Sequence, residues 1–180
     1  MRPLAEVAGE ELLWTQPSAR KREHELHAGD DVVATLAFQR GSLANAAAAK
    51  GEWTFKRHGF WHPRVTARIA GSETDLVVFR PHWSGGGQLD FADGQTLRFA
   101  SANFWQSQWV WLEDRDKPLI RFKGRHGLVK ANGAVEISPE AVHRPDIALL
   151  VLVGWYLILL YAEDAAAAST AAIVPVISSA

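Results

Sequence analysis

The chain reads as an all-β protein closed around one helix: an antiparallel barrel of about twelve strands enclosing a hydrophobic C-terminal α-helix. Three observations predict this. Hydrophobicity alternates with a period of two between residues 11 and 138, and turn-forming dipeptides interrupt the alternation at short intervals. The pattern then gives way to one apolar run, DIALLVLVGWYLILLYAED at 146–164.

Alternation assigns each strand a buried and a solvated face. DVVATLAF puts Val32, Ala34, Leu36 and Phe38 on one side. EWTFKRH sets Trp53 and Phe55 against Glu52, Thr54 and Lys56, and RVTARIA sets Val65, Ala67 and Ile69 against Arg64, Thr66 and Arg68. A solvated face favours antiparallel pairing, because parallel strands are usually covered on both sides. Asp93-Gly94 and Asn132-Gly133 are expected hairpin turns, since Asp or Asn followed by Gly tolerates positive φ. KGE at 50–52, AGSE at 70–73, SGGG at 84–87 and DRDKP at 114–118 supply further turns. LANAAAAK at 43–50 has a helical composition, but it is short and lies between two strands, so it is read as a strand.

In SPEAVHRPD, Ser138 and Pro139 open a short turn that Pro145 ends, and Asp146 sits at the start of the apolar helix. The sequence thus predicts one domain over 1–164 with a core helix at 146–162. The low-complexity tail AAAASTAAIVPVISSA at 165–180 is expected to fray.

The sixteen residues 147–162 make a helix of about 24 Å, whereas a hydrocarbon core of about 30 Å usually needs around 20 apolar residues. Side chains fill a barrel of about eight strands, but twelve leave an axial void. A helix that is apolar on every side belongs in such a void. Gly154 would then allow a wall side chain to approach, while Trp155, Tyr156 and Tyr161 would need partners for their polar atoms. The alternative is a tail anchor that uses 147–162 as a membrane span.

GEWTFKRHGF at 51–60, the Asp93-Gly94 hairpin and the closing LLVLVGWYLILLYAED give the chain a layout that resembles the tubby C-terminal-like superfamily over residues 11–164. That group includes tubby domains, phospholipid scramblases and LURP-one-related proteins. The resemblance implies a closed barrel threaded by its C-terminal helix. Tubby domains bind phosphoinositide head groups and scramblases associate with membranes, so it also implies a lipid-binding role. The chain departs from scramblases in lacking cysteines for palmitoylation, and no stretch aligns residue by residue with a tubby phosphoinositide site.

Composition narrows the chemistry. With 180 residues, a net charge of −1 and no cysteine, the chain lacks a whole-molecule attraction for nucleic acid, any disulfide and any thiolate chemistry. MRPLAEVAGEELLW is not a secretory signal, so the cytoplasm is the expected location, with membrane association the second option. HELH at 24–27 is one residue short of H-E-x-x-H and reads as exposed polar residues. His58, His62 and His82 read as scattered surface histidines, and no metal site, catalytic residue or cofactor is expected. HWSGGG at 82–87 lacks the leading glycine of a nucleophile elbow at Ser84 and the Lys-Ser/Thr ending of a phosphate loop, so it reads as a flexible connection. Trp105, Trp109 and Trp111 share a face with Ser107 and are expected to pack on the core helix.

RFKGR is the most promising polar feature. On a strand, Arg121, Lys123 and Arg125 line one outer face, with Lys130 nearby and Arg64 and Arg68 forming a second basic pair. Such a face could hold phosphate through charge-assisted hydrogen bonds. The competing reading is a solvated exterior balanced by Glu113, Asp114 and Asp116. The expected function is a non-enzymatic binding or regulatory module for anionic lipid head groups or another phosphate ligand on the barrel exterior.

Overall fold

The computed structural model describes residues 1–59, 61–83, 85–103, 107–126 and 131–171. Among them, period-two segments form β1 (Leu12–Thr15), β2 (Glu23–Ala28), β3 (Asp31–Arg40), β4 (Leu43–Ala48), β5 (Gly51–His58) and β6 (Arg64–Ile69). They continue as β7 (Val77–Pro81), β8 (Gly87–Phe91), β9 (Thr96–Ser101), β10 (Gln108–Glu113), β11 (Lys117–His126) and β12 (Ala131–Ile137). Each strand pairs antiparallel with its chain neighbours, and β1 pairs with β12 to close the barrel. Closure leaves no sheet edge to protect. A short α1 (Leu4–Val7) precedes the barrel, and α2 (Ile147–Ala171) runs through it.

Alternation predicts most wall residues correctly, and its failures have local causes. Val33, not Val32, is fully buried, because a bulge in the β2–β3 ladder between Leu26 and His27 adds one residue and shifts the phase of β3. Thr66 is buried and shares a 3.1 Å hydrogen bond with His58 Nε2, while Ile69 is exposed where β6 ends. Asn132-Gly133 is not a turn: both residues lie inside β12, with Gly133 opposite Gly124. The glycine serves packing there, since a Cβ would come within 2.7 Å of the Trp155 ring. Asp93-Gly94 is the expected turn, with Gly94 at φ +89°. Residues 43–48 form a strand despite their alanines, and those alanines leave room for the rings of β5 and α2.

Helix α2 fills the barrel. Residues Leu149 to Val153 and Trp155 to Leu160 are buried around its whole circumference, as an axial filler requires. Gly154 is the point of closest approach: a Cβ there would lie 2.3 Å from Phe122 and 2.8 Å from the Trp111 indole nitrogen. That nitrogen donates a 2.9 Å hydrogen bond to the Leu150 carbonyl, so β10 grips the helix backbone directly. Trp109 is buried with Trp111, as expected; Trp105 lies outside the described residues. Phe38 and Phe55 pack on Tyr156, and Trp14 stacks on Trp155 at 5.4 Å.

The helix is longer than expected and continues to Ala171. Alanine has the highest helix propensity, and Ala165–Ala168 carry it past the barrel into solvent. By length and composition the stretch from Ile147 to Ser169 could cross a membrane, but here its first half lies inside the barrel. At the entry end, Arg144 holds Asp146 at 2.9 Å and Glu113 at 2.7 Å, and Leu4 and Val7 of α1 add to the core.

Gly154→Ala is expected to destabilise the protein by about 1–3 kcal/mol through overpacking, measured by urea unfolding. Deleting 147–180 should leave a chain without cooperative unfolding, because the strands then have nothing to pack on; a folded, soluble deletion product would show that the barrel stands without its helix.

Candidate functional site

The expected cations fall on two separate parts of the barrel. Arg121 and Lys123 lie on the outer face of β11, whose backbone also carries Arg125 opposite Asn132. Arg64 and Arg68 lie on β6, five strands away around the barrel. The side chain of Arg125 and all of Lys130 lie outside the described residues. Lys123 is paired with Glu136 of β12, which also stands opposite Arg121. Arg68 is paired with Asp75 at 2.6 Å and Glu73 at 3.8 Å. The balancing carboxylates expected from sequence are occupied elsewhere, Glu113 by Arg144 and Asp116 by Arg98. Neither Arg64 nor Arg121 has an ion pair among the described residues, and Arg64 also lines an open cavity of about 640 Å³.

That cavity lies at the end of the barrel where α2 emerges. Its walls are the β5–β6 connection, with Trp61, His62, Pro63 and Arg64, and the β7–β8 connection, with Arg80, Pro81, His82 and Trp83. The two segments are mirror images in sequence, Trp-His-Pro-Arg and Arg-Pro-His-Trp. Strands β6 and β7 are antiparallel, and their ladder ends with Val65 opposite Phe79. Beyond that pair the described residues form no β6–β7 ladder, and the two tetrapeptides run into separate turns that face the same cavity.

The mirror explains why the strands part there. Neither proline has an N–H, so the ladder cannot continue through them. Arg64 and Arg80, the residues next to the last pair, bring two like charges to the opening. Arg80 is stabilised by an ion pair with Asp90 of β8, which draws it toward β8 and leaves Arg64 on its own across the opening. A small apolar crevice lined by Val65, Phe79, Leu157 and Tyr161 lies behind the opening. At the tips, Trp61 is 84% exposed and Trp83 is 106% exposed. Sequence reading passed over these residues as scattered histidines and a flexible loop, though the mirrored tetrapeptide was visible; its meaning needed the register.

Helix α2 ties this end together. The Tyr161 hydroxyl donates to the Gly86 carbonyl at 3.0 Å, and the Tyr156 hydroxyl donates to Ser42 at 2.5 Å. These are the partners the two tyrosines require, and burial pushes the Tyr156 phenol up to about 12. Gly86 itself, at φ +71°, lies so close to the Phe99 carbonyl that a Cβ would come within 2.1 Å of it. Arg57 holds Asp164 at 2.7 Å, and Arg22 pairs with Glu163 while lying over the Phe38 ring. Both carboxylates at the helix exit are therefore neutralised.

No family model matches the chain, and neither does any curated protein or solved structure. The tubby-like resemblance thus rests on layout.

Histidine 24 overturns the reading of HELH as exposed polar residues: it is only 4% exposed, facing the edge of Trp155, whereas His27 is half-buried beside Glu25. Burial, reinforced by the charge of Arg22, pushes its pKa down to about 4. Its Nδ1 and the indole nitrogens of Trp14 and Trp155 are buried without a hydrogen-bond partner among the described residues. Among those residues no group of three His, Cys, Asp or Glu side chains could hold a metal ion. Ser84 lies outside the described residues.

Because His24 is neutral in the fold but takes up a proton at its ordinary value near 6.5 when unfolded, its contribution is complete above that pH. It is lost as pH falls toward about 4, a change of about 3 kcal/mol. Urea unfolding between pH 7 and 4 should show this loss, and His24→Leu should flatten it.

Proposed function

We propose that the protein is a non-enzymatic binding or regulatory module that takes a phosphate-bearing anionic ligand at the rim where α2 emerges. The observation that carries this reading is Arg64: a guanidinium with no carboxylate partner among the described residues, on the wall of an open cavity of about 640 Å³ that also holds Arg80, His62 and His82. The volume suits a small ligand or head group. A guanidinium beside further hydrogen-bond donors favours phosphate through paired, charge-assisted hydrogen bonds. The β11 face is the weaker choice for the same ligand, because Glu136 already satisfies Lys123 and stands opposite Arg121.

Enclosure of residues 147–160 supports α2 as structural core and not as the span of a tail anchor. A span would require the helix to leave the barrel and surrender its contacts with Phe122, Trp111 and Trp14.

Titration with inorganic phosphate, followed by NMR of arginine side chains, is expected to shift Arg64 first. Arg64→Ala should weaken binding about fivefold or more, the equivalent of about 1 kcal/mol, and Arg121→Ala/Lys123→Ala should leave it unchanged. Shifts confined to Arg121 and Lys123 would move the site to the β11 face.

A further inference from the structure

The mirrored arms carry more than a phosphate site. From tip to barrel each reads Trp, His, Pro, Arg, so the arginine is three residues nearer the barrel than the tryptophan. Two tryptophans exposed by 84% and 106%, on adjacent connections at one end of a closed barrel, present a large apolar area to water. A free phosphate ligand would use the arginines and give the indoles no role. A bilayer uses both, because indoles favour the boundary between head groups and acyl chains, and phosphates lie just outside that boundary.

Charge at this end fits the same partner. The whole chain carries −1, so long-range attraction to an anionic surface is absent. Locally, Arg22 and Arg57 cancel Glu163 and Asp164, and Asp90 cancels Arg80. Arg64, in the cavity behind the two indoles, keeps its positive charge, and exposed Arg20 and Arg40 at the same end likewise have no carboxylate partner among the described residues. The emerging part of α2, Ala165–Ala168, adds no charge of its own.

We infer that the protein docks end-on to an anionic phospholipid surface, with Trp61 and Trp83 inserted as paired anchors and Arg64 at the level of the lipid phosphates. Both indoles are exposed on the wall of one cavity, so each contributes, and Arg64 supplies the cation of that cavity that has no carboxylate partner among the described residues. This rests on the proposed phosphate site only for the part played by Arg64.

The test is co-sedimentation of the full chain with vesicles of phosphatidylcholine containing one-fifth phosphatidylserine, alongside NMR titration with the soluble head group glycerophosphoserine. Trp61→Ala and Trp83→Ala should each weaken vesicle binding about tenfold and leave glycerophosphoserine binding unchanged, and Trp83→Ala, at a fully exposed indole, should also leave the thermal midpoint in place. Arg64→Ala should weaken vesicle and head-group binding alike and reduce the salt dependence. Quenching of tryptophan emission by brominated lipid should fall in the double tryptophan variant. Head-group binding at Arg64 without vesicle binding would overturn the docking and leave the phosphate site standing. Vesicle binding that survives loss of both tryptophans, or that is lost only in Arg121→Ala/Lys123→Ala, would also overturn it. Absence of both kinds of binding would remove the site itself.

Discussion

Contact between α2 and the inside of the barrel is the constraint on which the rest of the structure depends. Twelve strands enclose more volume than their own side chains can fill. The protein answers with a helix that is buried on every side from Leu149 to Leu160. At its middle, Gly154 lets Phe122 and Trp111 reach the helix backbone, and Trp111 fixes the helix by a hydrogen bond to the Leu150 carbonyl. Gly133 performs the same service from the wall, admitting the Trp155 ring. The interior is thus a set of rings fitted to places where a Cβ is missing, and native packing density makes such fits sensitive to one added carbon.

From this follows the difference between the two ends. At the entry, Arg144 clasps Asp146 and Glu113, and α1 adds apolar cover. At the exit, ion pairs and two tyrosine hydroxyls hold the helix to the connections around it. One of those bonds ends on Gly86, next to the arm that carries Trp83. The rim is therefore braced from inside by the helix.

The bases for the two functional candidates differ in physics, not in the number of cations. On β11, Glu136 of the neighbouring strand pairs with Lys123 and stands opposite Arg121. At the β6–β7 opening the ladder ends at Val65 and Phe79, and the prolines and arginines beyond it line one cavity. One arginine finds Asp90 and the other finds none among the described residues. Surface ion pairs add little stability, but they decide which cation is available to a ligand.

The sequence by itself determined the class of fold, because period-two alternation, turn chemistry and one long apolar run are local properties that the backbone must obey. It also identified α2 as core from the volume that twelve strands enclose. It misplaced Asn132-Gly133, since a glycine needed for a ring across the barrel looks the same as one needed for a turn. It misjudged Val33 and His24, because a bulge and the inward face of β2 depend on pairing register. Only the tertiary structure decided which cations are paired and which tetrapeptides meet. Trp61–Arg64 and Arg80–Trp83 are far enough apart in the chain to look unrelated, and they become two sides of one cavity only when β6 and β7 align at Val65 and Phe79.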